Sequence, residues 1–115
     1  MKELRFRAWD GKKMIEDVIP VSETDIVELF EYEHQVTEVE AVEQYTGLKD
    51  KNGKEIYEGD IVSVRNKNRK NEYDIGVVEF GKAAFRCPFL LGKYHSGQVE
   101  VIGNVHENAD LLEKN

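Results

Sequence analysis

Turn residues cut this sequence roughly every ten positions into short apolar runs, and that spacing limits most what it can fold into. Leu4, Phe6 and Ala8 alternate with Glu3, Arg5 and Arg7, which predicts a half-buried strand over 2–9. Asp10-Gly11 supplies a hairpin turn, and Met14, Ile15 and Val18 the returning strand. Pro20 ends that strand because it has no N–H for the ladder. Residues 26–32 and 36–42 read as two acidic strands joined at His34-Gln35. The alternative there is a helix capped by Ser22 or Thr24, with Ile26, Leu29 and Phe30 on one stripe.

Asn52-Gly53 is a strong turn pair, because both residues tolerate positive φ. Residues 61–64 form a strand broken by the polar run RNKNRKN at 65–71. Residues 73–80 resume as one strand, with Ile75 and Val77 on one face and Val78 and Phe80 on the other. Gly76 within it marks a bulge or a close backbone crossing. After a turn at Gly81, Phe85, Cys87 and Phe89 alternate with Ala84, Arg86 and Pro88, and 98–102 is the last strand. Asn108 reads as the cap of one or two helical turns over 109–113, with Asp110 in the positive first turn. The expected architecture is mainly β, a small barrel or packed β-sheets with hairpins and a short C-terminal helix.

A length of 115 residues fits one domain with its own core. A single cysteine, Cys87, excludes an intrachain disulfide and leads to the expectation of a reducing, cytoplasmic compartment. The start, MKELRFRAWDG, holds no apolar secretory segment, and no apolar stretch approaches a membrane span, so no membrane partner is expected. The net charge of −7 argues against a simple nucleic-acid coating protein. That charge is unevenly spread. Residues 1–13 hold five bases against two acids, whereas 14–45 hold ten acids and no Lys or Arg.

The stretch GKEIYEGDIVSV, residues 53–64, crowds acids and glycines before a β-branched run and poses the question of a site. As a calcium loop DKNG fails, because Gly53 falls at the fourth position from Asp50 and Lys51 and Lys54 sit among the acids. A turn explains every residue type used. Asn52 and Gly53 bend one hairpin; Glu58, Gly59 and Asp60 make the corner into the next strand, where the Asp60 carboxylate accepts exposed backbone N–H groups. His34, His95 and His106 lack the spacing of zinc ligands, and Ser96 has no nucleophile elbow. Cys87 reads as a buried small apolar residue, and Trp9 as a core or sheet-covering one. No metal or cofactor is implied.

Three stretches carry a family resemblance: FRAWD at 6–10, QYTGLKDKNGKEIYEGDIV at 44–62 and VIGNVHEN at 101–108. In them the chain resembles the YopX family of bacteriophage and prophage proteins. The likeness covers nearly the whole chain, with 14–44 as an acidic variable segment and 45–115 plus strand 2–9 as a barrel core. Asn108-Ala109 stands where an Asn-Pro is common. The resemblance implies a mainly β, SH3-like barrel, phage origin and no established activity, and it brings no catalytic residues.

Three functions are weighed. The first is a non-catalytic adaptor that meets a host or phage protein through an acidic face carrying Glu28, Glu31, Glu33, Glu38 and Glu40, or that meets a second copy of itself as a homo-oligomer. The second is nucleic-acid contact through Arg65, Lys67, Arg69 and Lys70 in one loop and Lys49, Lys51 and Lys54 in the neighbouring hairpin, with Tyr73 stacking on a base; it requires both tips on one side. The third is an enzyme, which requires Glu58 or Asp60 in a pocket beside His95 or His106.

Overall fold

A computed structural model of the chain describes residues 5–21, 26–29, 35–65, 73–81, 84–87, 89–90 and 98–112. The chain forms two compact units, Met1–Tyr45 and Thr46–Asn115. The described residues are mainly β, with twelve strands and one 3-10 helix. Ser22 and Thr24, and with them the helical alternative they would cap, lie outside the described residues, but residues 26–29 are a strand.

In the first unit β1 (Phe6–Trp9) lies between β2 (Met14–Pro20) and the start of β5 (Ala41–Lys49), while β3 (Ile26–Leu29) and β4 (Gln35–Glu38) extend the sheet beyond β2. Every ladder is antiparallel. β1, which the sequence groups with residues 45–115, makes its ladders with β2 and with residues 41–44 of β5. At the β1–β2 turn Gly11 takes φ +102. The Asp10 carboxylate accepts the N–H groups of Lys13 and Lys12, both at 2.8 Å, and they hold it below its ordinary value of 3.8.

Ile15 and Val18 are three residues apart, so a regular strand would send them to opposite faces. A bulge brings them together. Phe6 pairs with Val18 and Ala8 with Ile15, leaving Glu16 and Asp17 opposite Arg7, and Asp17 takes φ +52. Ala8, Val18, Val27 and Val39 then form one core, with Phe6, Ile15, Leu29 and Val42 packed on it. Two details of the acidic hairpin differ from expectation. Leu29 pairs with Gln35, so Gln35 already belongs to a strand, while 30–34 lie outside the described residues. Residues 36–42 are two strands, because Val39 turns into the core and Glu40 N–H donates to Trp9 O at 2.8 Å.

In the second unit the far end of β5 neighbours β6 (Glu55–Tyr57). A three-stranded sheet places β7 (Asp60–Arg65) between β8 (Tyr73–Val77) and β12 (Val99–Asn104). Another places β10 (Ala84–Cys87) between β9 (Glu79–Gly81) and β11 (Phe89–Leu90). Among the described residues every strand order is open, so the architecture is packed sheets rather than a closed barrel. Ile56 of β6 packs on Val62, Val64, Val78 and Val99, each fully buried. Burial of each such side chain stabilises the fold by about 1.5–3 kcal/mol.

Four sequence expectations change here. Residues 73–80 are two strands in different sheets, parted at Val78, whose N–H donates to Asp60 O while its own O accepts Gly59 N–H (both 2.9 Å). Gly76 pairs regularly with Val62, and the bulge of this sheet lies at Val101/Gly103. Phe85 and Cys87 sit in β10 but Phe89 in β11, because the chain folds back so that Cys87 pairs with Phe89. The helical turn is a 3-10 helix over Ala109–Leu112, and the Asn108 side chain turns back to Asn104 instead of capping it.

Candidate functional site

The 53–64 stretch builds a corner. Gly59 takes φ +87, a region open to glycine at little cost, and its N–H and C=O bind Val78 O and Val105 N–H at 2.9 and 3.0 Å. Asp60, 1% exposed, accepts the Tyr57 N–H on Oδ2 at 2.8 Å. The preceding hairpin is organised by Asp50. Its Oδ1 accepts Asn52 N–H (2.8 Å) and Lys54 N–H (2.9 Å), and its Oδ2 accepts Val101 N–H (3.0 Å). Burial raises the Asp50 carboxyl, but the N–H groups of Val101, Lys54 and Asn52 and the Lys54 charge outweigh it and hold it below 3.8. Glu58 is half-buried at the corner, and Asn52 and Gly53 are exposed at the hairpin tip.

Backbone bonding also absorbs the other shared motifs. The Thr46 hydroxyl donates to Ile56 O at 2.7 Å and accepts Leu48 N–H at 3.1 Å. Asn104 Oδ1 accepts the N–H groups of His106 and Glu107, both at 3.0 Å, while Asn104 N–H donates to Asn108 Oδ1 at 3.1 Å. Gly103 belongs to the same turn, since a Cβ there would lie 2.7 Å from the Asn108 Cβ. This turn does reach the corner, because Val105 bonds Gly59 and Asn104 pairs with Asp60. The structure therefore brings the Glu58–Asp60 corner and the His106 turn together through backbone, with the Asp60 carboxylate turned inward. His34, His95 and Ser96 lie outside the described residues. Among the described residues no three His, Cys, Asp or Glu side chains gather as a metal site. No helix there is long and apolar enough to cross a membrane.

The acidic segment is only partly a solvated face. Arg7 and Glu43, directly paired across β1 and β5, form a buried ion pair in which Nε donates to Oε1 at 2.9 Å. Arg5 reaches Asp17 at 3.6 Å and lies over the Tyr45 ring at 5.4 Å. Thus the basic strand lies between acidic neighbours, and the segregation of charge along the chain is reduced by topology. The alternation of β1 hid this, because it assigned Arg7 to solvent. The unbroken acidity of 14–45 beside a basic strand was the available signal.

The face of β2–β3–β4 opposite the core is exposed in part, with Ile26 and Glu28 half-buried. Ile19 pairs with Glu28 and Glu28 with Val36, and Ile26 pairs with Glu38, so these five share that face. Ile19 and Val36 are 42% and 55% exposed. Glu38 is exposed as well, whereas Glu40 stands apart, at the bend against the Gly11 turn. Glu31 and Glu33 lie outside the described residues.

The basic candidates converge in part. Lys51 N–H donates to Val99 O at 2.9 Å, Val99 pairs with Val64, and the next residue, Arg65, pairs with Tyr73. The 50–54 hairpin and the root of the 66–72 segment therefore sit at one end of β12. Lys49, Lys54, Arg65 and Tyr73 are exposed, Tyr73 by 58%. Lys51 is engaged with Glu100 at 3.3 Å. Lys67, Arg69 and Lys70 lie outside the described residues.

A family model described as YopX protein matches residues 5–113. No curated protein matches the chain. Two solved structures are similar over nearly their full length. Protein EF1440 from Enterococcus faecalis is 28% identical with a TM-score of 0.68, the match covering 97% of this chain and 99% of that one. Protein yopX from Bacillus subtilis is 24% identical with a TM-score of 0.66, covering 96% and 98%, which is a likeness of fold.

Proposed function

The chain belongs to the YopX family, and from that premise and its surface we propose a non-catalytic binding module that holds a partner protein by contact alone. Its setting in this reading is the cytoplasm of a bacterium, as a phage or prophage product, and its partner is a host or phage protein. The observation that carries the reading is the β2–β3–β4 face, where exposed Ile19 and Val36 share a surface with Glu28 and Glu38. Aliphatic side chains interspersed with carboxylates suit a partner that offers apolar contact and positive charge. An enzyme is less favoured, because the Asp60 carboxylate is buried against the Tyr57 N–H and so turned from any substrate.

The test is capture from a bacterial lysate, nuclease-treated, with the wild type and a Glu28→Lys/Glu38→Lys variant. The expected result is a protein retained by the wild type and lost by a folded variant. Retention of nothing, or equal retention by both, overturns the assignment of the face.

A second reading, nucleic-acid contact, is favoured by the shared position of the Lys51 hairpin and the Arg65–Tyr73 pair at one end of β12. A positive edge with an exposed aromatic suits a single strand. Titration with single-stranded DNA and RNA at two salt concentrations tests it. Binding that falls steeply with salt and is lost in Arg65→Ala/Tyr73→Ala supports it, and no binding at low salt removes it.

A further inference from the structure

We infer that the outer edge of β4 is a docking edge for an extended basic segment of a partner protein, which adds a strand to the sheet of the first unit. This rests on the protein-binding role proposed above and specifies where and what the module binds. Among the described residues β4 pairs with β3 alone. Alternate N–H and C=O groups of a strand at such an edge point away from the sheet and form a ready template for another strand.

The registers determine which side chains frame the edge. Val36 and Glu38 stand two residues apart on the exposed face, backed by Glu28 and Ile26 of β3. Ile19 of β2 continues the first row behind Glu28. An added strand would place one side chain against Val36 and another, two positions along, against Glu38. Apolar contact satisfies the first and a cation the second.

Charge selects the occupant. Glu38 stands on β4 with Glu28 beside it on β3, and β2, β3 and β4 hold no Lys or Arg, so a second copy would bring a like-charged edge to this one, which disfavours pairing. A segment bearing Lys or Arg is drawn to it instead. Natural sheet edges are commonly guarded by Lys or Pro. The sequence of β4, QVTE, has neither.

The experiment titrates the isotope-labelled full chain with a short Lys/Val peptide, Val-Ser-Lys-Ser repeated so that Val and Lys fall two positions apart on one strand face, read by fluorescence anisotropy and backbone-amide NMR. Two controls are a Glu/Val peptide and the Lys/Val peptide with alternate amides N-methylated. The Lys/Val peptide is expected to bind with amide shifts concentrated at 35–38 and 26–29, and both controls about tenfold or more weaker. Glu38→Lys and Val36→Lys should each weaken binding by a similar factor while their amide spectra report an intact fold. Binding equal to the N-methylated control, shifts centred elsewhere, or no binding overturns the edge assignment. Should a lysate partner still be captured by wild type and by Glu38→Lys alike, the module remains a protein binder at another surface. Loss of both results removes both inferences.

Discussion

The two units bury charge by opposite means. In the first, Arg7 and Glu43 come from segments 36 residues apart and satisfy each other side chain to side chain. In the second, the buried acids Asp50 and Asp60 are satisfied by N–H groups, most of them within four residues of the carboxylate. The long-range pair depends on the β1–β5 register: a one-residue slip would turn Arg7 and Glu43 to opposite faces. The local arrangements depend on turn geometry, so they need only a few neighbouring residues in place. Charge held by a sheet is vulnerable to loss of either partner, and charge held by a turn mainly to loss of the one side chain.

The largest expected effect is at the sheet-held pair. Arg7→Met should destabilise the protein by about 3–5 kcal/mol in urea denaturation, because it strands the Glu43 carboxylate in a buried site. The double variant Arg7→Met/Glu43→Leu should recover most of that loss. A single-variant loss below about 1 kcal/mol would place the pair among exposed bridges and erase the contrast. Asp60→Ala comes next at about 1–3 kcal/mol, from an orphaned Tyr57 N–H at the corner. It is measured by the same denaturation.

Asp50→Asn is expected to cost about 1–2 kcal/mol near neutral pH, since the amide turns a donor toward one of three N–H groups. The folded carboxyl lies below its unfolded value of 3.8, so its contribution is complete above that value and is lost as the pH falls through the folded one. Denaturation midpoints of wild type and variant should therefore draw together as the pH is lowered beneath 3.8; a gap that stays constant throughout an acid titration would refute the role given to the carboxylate. The smallest effect is at Lys51–Glu100, of similar length to the buried pair but with both side chains more than 40% exposed. Lys51→Ala should change stability by less than about 1 kcal/mol.

Residues acting through their immediate neighbours were legible from sequence. Gly11, Gly53 and Gly59 announced positive φ, and the corner reading of 58–60 rested on the backbone preferences that the coordinates display. The strands read at 61–64 and 98–102, found as Asp60–Arg65 and Val99–Asn104, were legible from β-branched runs. What escaped was whatever required a partner strand. The bulge opposite Arg7 was signalled only by the odd spacing of Ile15 and Val18. The split at Val78 had no local mark, because the pull of Gly59 and Asp60 on Val78 comes from residues distant in sequence. Of the candidate surfaces, sequence supplied the acids and bases but not which of them share a face.

By itself, then, the sequence determined that this chain is β-rich, where it turns, and to which family it belongs, since turn chemistry and short-range alternation are properties of a few adjacent residues. Tertiary structure alone decided that Arg7 and Glu43 are buried, that the strand orders stay open, and that Val36 and Glu38 stand beside Ile19 and Glu28 on one face. Those outcomes depend on register, and register is a relation between strands that no single strand encodes.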